Sequence, residues 1–210
     1  MRVVAGTAKG RRLKGPTADG TRPIIDRVKT ALFDILSWRV EDTRFLDLFA
    51  GTGGVGIEAL SRGAAAATFV EIDPAVLQIT RENLDHTKLA EHAETVRSDA
   101  FAFLQSARAR GRWFDIIYVA PPQYRGLAAR TVARLDEAPL TEAGGMLIAQ
   151  VHPRERDELD RLPLRRLRRT DERQYGSTLL VFYEHASPPT TTSSGVEARP
   201  QGEALVPRDR

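Results

Sequence analysis

The sequence predicts an α/β fold with a doubly wound, mostly parallel sheet of seven strands that is closed by an antiparallel hairpin. Two observations predict this fold. From residue 45 onward short apolar segments alternate with amphipathic ones, and the last two apolar segments follow each other without a helix between them. Alternating strands and helices imply right-handed crossovers between parallel strands. Two strands joined by a short turn pair antiparallel instead.

The elements are predicted in the following order. Glycine-punctuated residues 1–20 are expected to form a small basic β-hairpin with strands at 2–5 and 11–14. An amphipathic helix follows over 26–37, with Asp26 as a suitable N-cap. The alternating part has strands at 45–50, 67–72, 93–97, 114–119 and 145–151, helices at 54–62, 74–86, 100–110, 127–136 and 153–160, and closing strands at 164–169 and 177–183.

Length and composition predict one main domain with two appendages. The 210 residues suffice for one domain with a substantial core. We expect a basic arm at 1–22, an α/β domain at 23–185 and a disordered tail at 186–210, since the tail is rich in Pro, Thr and Ser and has no hydrophobic periodicity. A cytoplasmic location is expected, because no apolar run approaches the ~18 residues that cross a bilayer and no secretory signal is apparent. We also expect a monomer.

The absence of cysteine excludes several kinds of chemistry. With no Cys in the chain, disulfides, thiolate metal ligands and a Cys nucleophile are ruled out. The four histidines have no ligand spacing, so no metal site is expected.

Positive charge is concentrated near the amino terminus. Residues 1–29 contain eight basic and two acidic side chains, as expected of a surface that binds phosphates. The candidate RNA contacts are Lys9, Arg11, Arg12, Lys14, Arg22 and Arg27. A second cluster of five arginines within 161–169 fits a solvated face as well as it fits a ligand surface.

The most informative segment is Phe-Leu-Asp-Leu-Phe-Ala-Gly-Thr-Gly-Gly-Val-Gly at 45–56. An apolar strand enters a glycine turn, and the next strand ends about twenty residues later in Glu71. Glycines let the backbone approach a ligand, and Glu71 is placed to accept from ribose hydroxyls. The turn fits both NAD and S-adenosylmethionine, but Asp47 favours the second because a carboxylate suits a cationic sulfonium better than a pyrophosphate. A turn that merely connects strand and helix is the alternative.

Four successive strands are expected to place polar groups at one edge of the sheet, where ligands bind in such folds. Asp99, after the third strand, would accept from the adenine amino group, cap the following helix, or do both. The candidate cofactor-binding residues are Asp47, Phe49, Gly51, Gly53, Glu71, Ile72, Asp99 and Ala100.

The segment Ala120-Pro121-Pro122-Gln123-Tyr124 indicates the type of reaction, and these five are the candidate catalytic residues. Prolines fix φ and lack an amide donor, so the carbonyls at 120 and 121 are expected to face the crevice unbonded. They could hold an exocyclic amine while Tyr124 stacks on the base, which turns the nitrogen lone pair toward a methyl carbon. The alternative is a rigid turn without chemistry.

These motifs resemble the RsmD-type family of 16S ribosomal RNA guanine-N2 methyltransferases over nearly all of residues 2–183. The segments that carry the resemblance are 2–6, 10–13, 22–33, 46–53, 58–63 and 175–176. The resemblance implies a class I methyltransferase fold, S-adenosylmethionine as the methyl donor and a guanine of 16S ribosomal RNA, in an assembling small subunit, as the acceptor. It also implies a lid over the cofactor formed by Arg22, Asp26 and Arg27.

The sequence departs from the family at the diproline segment. Family members carry Asp or Asn before Pro-Pro, whereas this chain has Ala120 and an additional Gln123 before Tyr124. We expect backbone carbonyls or the Gln123 amide to replace the missing oxygen. The alternatives are a weakly active or inactive RNA-binding protein, a methyltransferase of DNA adenine or protein glutamine, and an NAD-dependent oxidoreductase. An NAD-dependent oxidoreductase would not explain the two prolines.

Overall fold

The structure is a computed structural model that describes residues 1–15 and 25–186. Arg22 and residues 187–210 of the predicted tail lie outside the described residues. No helix in the described ranges is long and apolar enough to cross a membrane.

The described residues form one seven-stranded sheet, as predicted. The strands are β1 Arg44–Asp47, β2 Ala66–Glu71, β3 Ala93–Arg97, β4 Ile116–Val119, β5 Met146–Val151, β6 Leu167–Tyr175 and β7 Thr178–His185. They lie in the order β3-β2-β1-β4-β5-β7-β6. The first five pair parallel, whereas β7 runs antiparallel to both β5 and β6. The predicted mixed sheet with a closing hairpin is therefore confirmed.

Three helices cover each face of the sheet. The helices are α1 Asp26–Leu36, α2 Gly56–Ser61, α3 Pro74–Thr87, α4 Ala100–Ala109, α5 Leu127–Glu137 and α6 Arg156–Asp160. Apolar residues of α1 to α3 belong to one core and those of α4 to α6 to the other. Along β1, Phe45 enters the first core and Leu46 the second, because successive side chains of a strand point to opposite faces.

Two helix starts differ from the sequence expectation. Asp26 is the first residue of α1 rather than its cap, which is Ile25. The helix predicted at 153–160 is divided into a 3-10 turn, Pro153–Glu155, and the short α6. The turn is closed by a capping box in which the His152 ring accepts from the Arg154 amide and the Glu155 carboxylate accepts from the His152 amide.

The two strands predicted at 2–5 and 11–14 are reduced to one antiparallel bridge, between Arg2 and Arg12. Next to it, the Val3 amide donates to the Arg11 carbonyl at 2.9 Å and the Leu13 amide to the Met1 carbonyl at 3.0 Å. The amides of Val4 and Ala5 donate instead to the Glu58 carboxylate at 2.8 and 2.9 Å. The segment lies against the first core.

The sixth strand also begins later than predicted. The amides of Arg165 and Arg166 donate to the carboxylate of Asp136 at 2.7 to 3.0 Å, and the strand starts only at Leu167. The Leu167 amide, at the first residue of the strand, donates to the same carboxylate at 2.7 Å.

Candidate cofactor and substrate site

The carboxyl ends of the parallel strands bring the predicted site residues to one edge of the sheet. β1 lies between β2 and β4, and Asp47 is in register with Tyr118 of β4. Beyond β1, the Leu48 amide donates to the Tyr118 carbonyl at 3.0 Å and the Ala50 amide to the Val70 carbonyl at 2.9 Å. The glycine turn therefore begins while the chain is still held between both neighbouring strands.

Two glycines of this turn adopt backbone angles that favour glycine. Gly51 and Gly53 have φ values of 54° and 82°, in the left-handed region. A Cβ at Gly53 would lie 2.8 Å from Cγ2 of Thr80, so this glycine is also needed for packing. A Cβ at Gly51 would meet nothing within 4 Å, so the space in front of that residue is open to a ligand.

Glu71, at the end of β2, holds this turn. Its carboxylate accepts from the amide of Gly51 at 3.0 Å and from the amides of Ile72 and Asp73 at 2.9 and 3.0 Å. A carboxylate has about four acceptor positions, so one remains for a further donor such as a ribose hydroxyl. The side chain of Ile72 is 62% exposed and provides an apolar face beside that carboxylate.

Asp47 is a buried carboxylate at the centre of the edge. Its side chain accepts from the Gly56 amide at 3.0 Å, and no Lys or Arg of the described residues forms an ion pair with it. Burial, opposed in part by that hydrogen bond and assisted by the charge of Glu71, raises the pKa of Asp47 from 3.8 to about 7. A cationic ligand would stabilise the ionised carboxylate, so this group fits a sulfonium or ammonium better than a phosphate.

The remaining predicted cofactor residues lie around this edge. Asp99 caps α4, and its Oδ1 accepts from the amides of Phe101 and Ala102 at 2.9 and 3.1 Å. Asp99 is therefore the N-cap of α4. Its second oxygen, Oδ2, accepts no hydrogen bond within the described residues. Ala100 is buried as the first residue of α4, and Phe49 is half-buried against the core under α4 to α6.

The diproline segment follows β4. Ala120 and Gln123 are half-buried, Pro121 is buried and Pro122 is exposed. Within the described part of the chain, no hydrogen bond to the carbonyls of Ala120 and Pro121 is found outside the strand ladders. Tyr124 has a φ of 61° and a ring that is 59% exposed.

Sequence reasoning missed two residues beside Tyr124. The Tyr124 amide donates to Oε1 of Glu155 at 3.0 Å, and the Tyr124 ring lies 5.3 Å from the ring of His152 between centroids. Both follow β5, the neighbour of β4. The spacing of a cap residue and a Glu three positions later was visible in the sequence, but its contact with a segment about thirty residues away was not.

The basic candidates fall into two groups. Lys9, Arg12 and Arg27 are exposed and form no ion pair among the residues that the structure describes. Arg11 donates to the His86 carbonyl, and Lys14 pairs with Glu82 at 2.7 Å. The first three are therefore the side chains best placed to meet phosphates.

The second arginine cluster is largely paired within the protein. Arg169 contacts Asp160 and Glu172, and Arg166 donates to backbone carbonyls at 136 and 137. This favours a structural role. No group of three or more His, Asp or Glu able to hold a metal occurs in the ranges that the structure describes.

The strand order, the antiparallel β7 and the glycine edge define the class I methyltransferase fold. A solved putative methyltransferase from Escherichia coli shares it with a TM-score of 0.77 and 34% identity, over 90% of this chain and 99% of that chain. The chain belongs to the family described as Conserved hypothetical protein 95, which matches residues 1–184. The predicted RsmD-type resemblance is thereby confirmed.

Two named relatives agree with this family. The chain is 39% identical to the putative rRNA methyltransferase YlbH of Bacillus subtilis, over 74% of this chain and 84% of the relative. It is 42% identical to the ribosomal RNA small subunit methyltransferase D of Escherichia coli, over 65% of this chain and 67% of the relative.

Proposed function

We propose that this chain transfers a methyl group from S-adenosylmethionine to the exocyclic N2 of one guanine in the 16S ribosomal RNA of the small subunit. The observation that carries the proposal is the placement of the diproline segment at the end of β4, beside the strand whose end holds Asp47 and the glycine turn. An amine acceptor and a cationic donor would meet at this edge. The names of the relatives support ribosomal RNA as the substrate.

Each part of the donor would have a residue to hold it. Glu71 would accept from the ribose hydroxyls, Ile72 would offer an apolar face to adenine, and Asp99 with the start of α4 would contact the adenine edge. Asp47 would supply negative charge for the methionine part. The donor supplies an electrophilic methyl carbon on a sulfonium.

The substrate side is formed by the diproline segment. The carbonyls of Ala120 and Pro121 accept from the guanine amine and orient its lone pair, while Tyr124 stacks on the base. The amine nitrogen gains the methyl group as the carbon–sulfur bond breaks, the electron pair of that bond stays on sulfur, and one amine proton is lost to water. The guanine has to leave its stack to reach this site, and Lys9, Arg12 and Arg27 would bind the surrounding phosphates.

A non-catalytic RNA-binding protein is the second candidate, and Ala120 is the observation that favours it. Alanine provides no side-chain oxygen for the target amine. If the backbone carbonyls do not suffice, the protein would bind cofactor and RNA without transferring the methyl group.

Transfer of labelled methyl groups to unmodified small ribosomal subunits tests the proposal. We expect about one methyl group per subunit, mapped to N2 of a single guanine, and none on RNA in which inosine, which lacks the amine, replaces that guanine. Replacing Tyr124 with Ala should lower the single-turnover rate about tenfold or more.

The same assay separates the alternatives. Cofactor binding without transfer would identify the non-catalytic protein, and label on DNA adenine or on a glutamine peptide instead of RNA would refute the proposed substrate. Replacing Gln123 with Ala decides between the two acceptors considered for the amine, because an unchanged rate would remove Gln123 from the mechanism.

A further inference from the structure

We propose that Glu155 is a positioning residue that holds Tyr124 and His152 together as one platform for the target base. This inference rests on the proposed function and deepens it, because it assigns substrate positioning to residues outside the diproline segment.

Glu155 joins the ends of two neighbouring strands through its two carboxylate oxygens. Oε1 accepts from the Tyr124 amide at 3.0 Å, after β4, and Oε2 accepts from the His152 amide at 3.1 Å, after β5. The residue is only 4% exposed, and no Lys or Arg of the described residues forms an ion pair with it. A carboxylate is costly to bury, and here its hydrogen bonds to the two backbone donors offset that cost.

Tyr124 needs such a partner because its backbone is strained. A φ of 61° lies in the left-handed region, which is unfavourable for a residue with a Cβ and persists only where the surroundings enforce it. The hydrogen bond to Glu155 is a contact that fixes this conformation. The result is an aromatic ring that is mostly exposed and yet mounted on a fixed backbone, as a stacking surface for a ligand requires.

The His152 ring supports the Tyr124 ring from one side. The ring centroids are 5.3 Å apart and the planes are inclined by 47°. A base between two rings needs about 7 Å, twice the ~3.5 Å contact separation, so the base cannot enter between them. It stacks on the open face of Tyr124 instead. The His152 ring is itself held, because Nδ1 accepts from the Arg154 amide at 3.2 Å.

A rigid platform has a particular value in this chain. Ala120 provides no side-chain oxygen, so the amine is oriented by backbone carbonyls or the Gln123 amide and by the plane of the stacked base. An error of about 1 Å in that plane can lower a rate by about 100-fold. Glu155 would limit this error by tying the segment that holds the base to β5.

The test compares Glu155→Gln with the matched control Asp157→Asn, an exposed acid in the adjoining helix. The glutamine presents an NH₂ group to one of the two amide donors and loses one hydrogen bond. We expect the single-turnover rate on small subunits to fall about 10- to 100-fold. The dissociation constant of S-adenosylhomocysteine should stay within about twofold, and the control should keep the wild-type rate. Equal losses of rate, cofactor affinity and thermal stability would overturn the positioning role.

Three further variants extend the test. Glu155→Asp keeps both acceptor oxygens and should retain more of the rate than the glutamine variant. His152→Ala should lower the rate, and His152→Phe, which keeps a ring, should restore most of it. Full activity of His152→Ala would remove that ring from the platform.

Hydrogen exchange separates this inference from the proposed function. In Glu155→Gln, one of the two amides that donate to Glu155, that of Tyr124 or that of His152, should exchange about tenfold faster than in the wild-type protein, whatever the substrate is. Unchanged exchange of both amides would refute the inference even in an active enzyme. Absence of methyl transfer by the wild-type protein, with the exchange difference present, would refute the proposed function and leave the Glu155 contact standing.

Discussion

Replacing Asp47 with Asn should stabilise the protein in a manner that depends on pH. The substitution removes a buried negative charge, and the asparagine oxygen can still accept from the Gly56 amide. Burial and the nearby charge of Glu71 raise the pKa of Asp47 to about 7 from its ordinary value of 3.8. Because this pKa is higher in the folded protein, the folded state holds the proton more tightly. The stability gained from that proton is complete below about pH 4 and is lost as the pH rises through about 7.

The size of the effect follows from the two pKa values. The interval from 3.8 to about 7 corresponds to about 4 kcal/mol, at ~1.4 kcal/mol for each pKa unit. At pH 8, where the wild-type side chain is ionised, the asparagine variant should have a free energy of unfolding higher by up to about 4 kcal/mol. Near pH 4 the wild-type side chain is close to neutral, and the difference should nearly vanish.

Urea unfolding of the wild-type protein and the asparagine variant between pH 4 and 8 measures this difference. The comparison requires that both proteins have the same m-value, the slope of the free energy of unfolding against urea concentration. Titration calorimetry supplies the functional side. A cationic donor should bind the wild-type protein more tightly at pH 8 than at pH 6, with proton release at the lower pH, and the variant should bind it at least about tenfold more weakly at pH 8. A stability difference that is the same at pH 5 and pH 8 would refute the reasoning from the buried charge.

Two stability predictions follow from packing. Glu58→Gln removes the negative charge that compensates the buried Lys29 and should lower the free energy of unfolding by about 3 to 5 kcal/mol, whereas Glu137→Gln, at an exposed ion pair, should change it by less than about 1 kcal/mol. Gly53→Ala places a Cβ 2.8 Å from Thr80 and should destabilise more than Gly111→Ala, which has a positive φ but no close neighbour. Urea unfolding measures the free energy of unfolding of all four variants. Equal losses for Glu58→Gln and Glu137→Gln, or for Gly53→Ala and Gly111→Ala, would contradict the corresponding explanation.

Local sequence signals were sufficient for the sheet and for the turn that carries the cofactor site. The alternation of segments predicts parallel neighbours, and the missing helix before β7 predicts its antiparallel pairing. The glycines at 51 and 53 have positive φ, as expected of a turn that approaches a ligand. Each of these features depends on residues that are close in sequence.

Contacts between distant residues could not be read in the same way. Glu58 looks like an ordinary acid in the first turn of a helix, but it accepts from amides 53 and 54 residues away and thereby attaches the amino-terminal segment to α2. Asp136 similarly accepts from the amides of residues 165–167. In both cases a buried carboxylate accepts from backbone amides that are distant in sequence, and hydrophobic periodicity contains no signal for it.

The short helix α2 connects the basic segment to the cofactor turn. Its first residue, Gly56, donates to Asp47, and two residues later Glu58 accepts from Val4 and Ala5 and pairs with Lys29 of α1 at 3.1 Å. The glycine turn of the candidate cofactor site and the amino-terminal basic segment are therefore both attached to one short helix. A segment docked in this way loses little conformational entropy when it binds phosphates, whereas a flexible arm would have to become ordered. Lys9 and Arg12 belong to this docked segment, as the proposed contact with RNA phosphates requires.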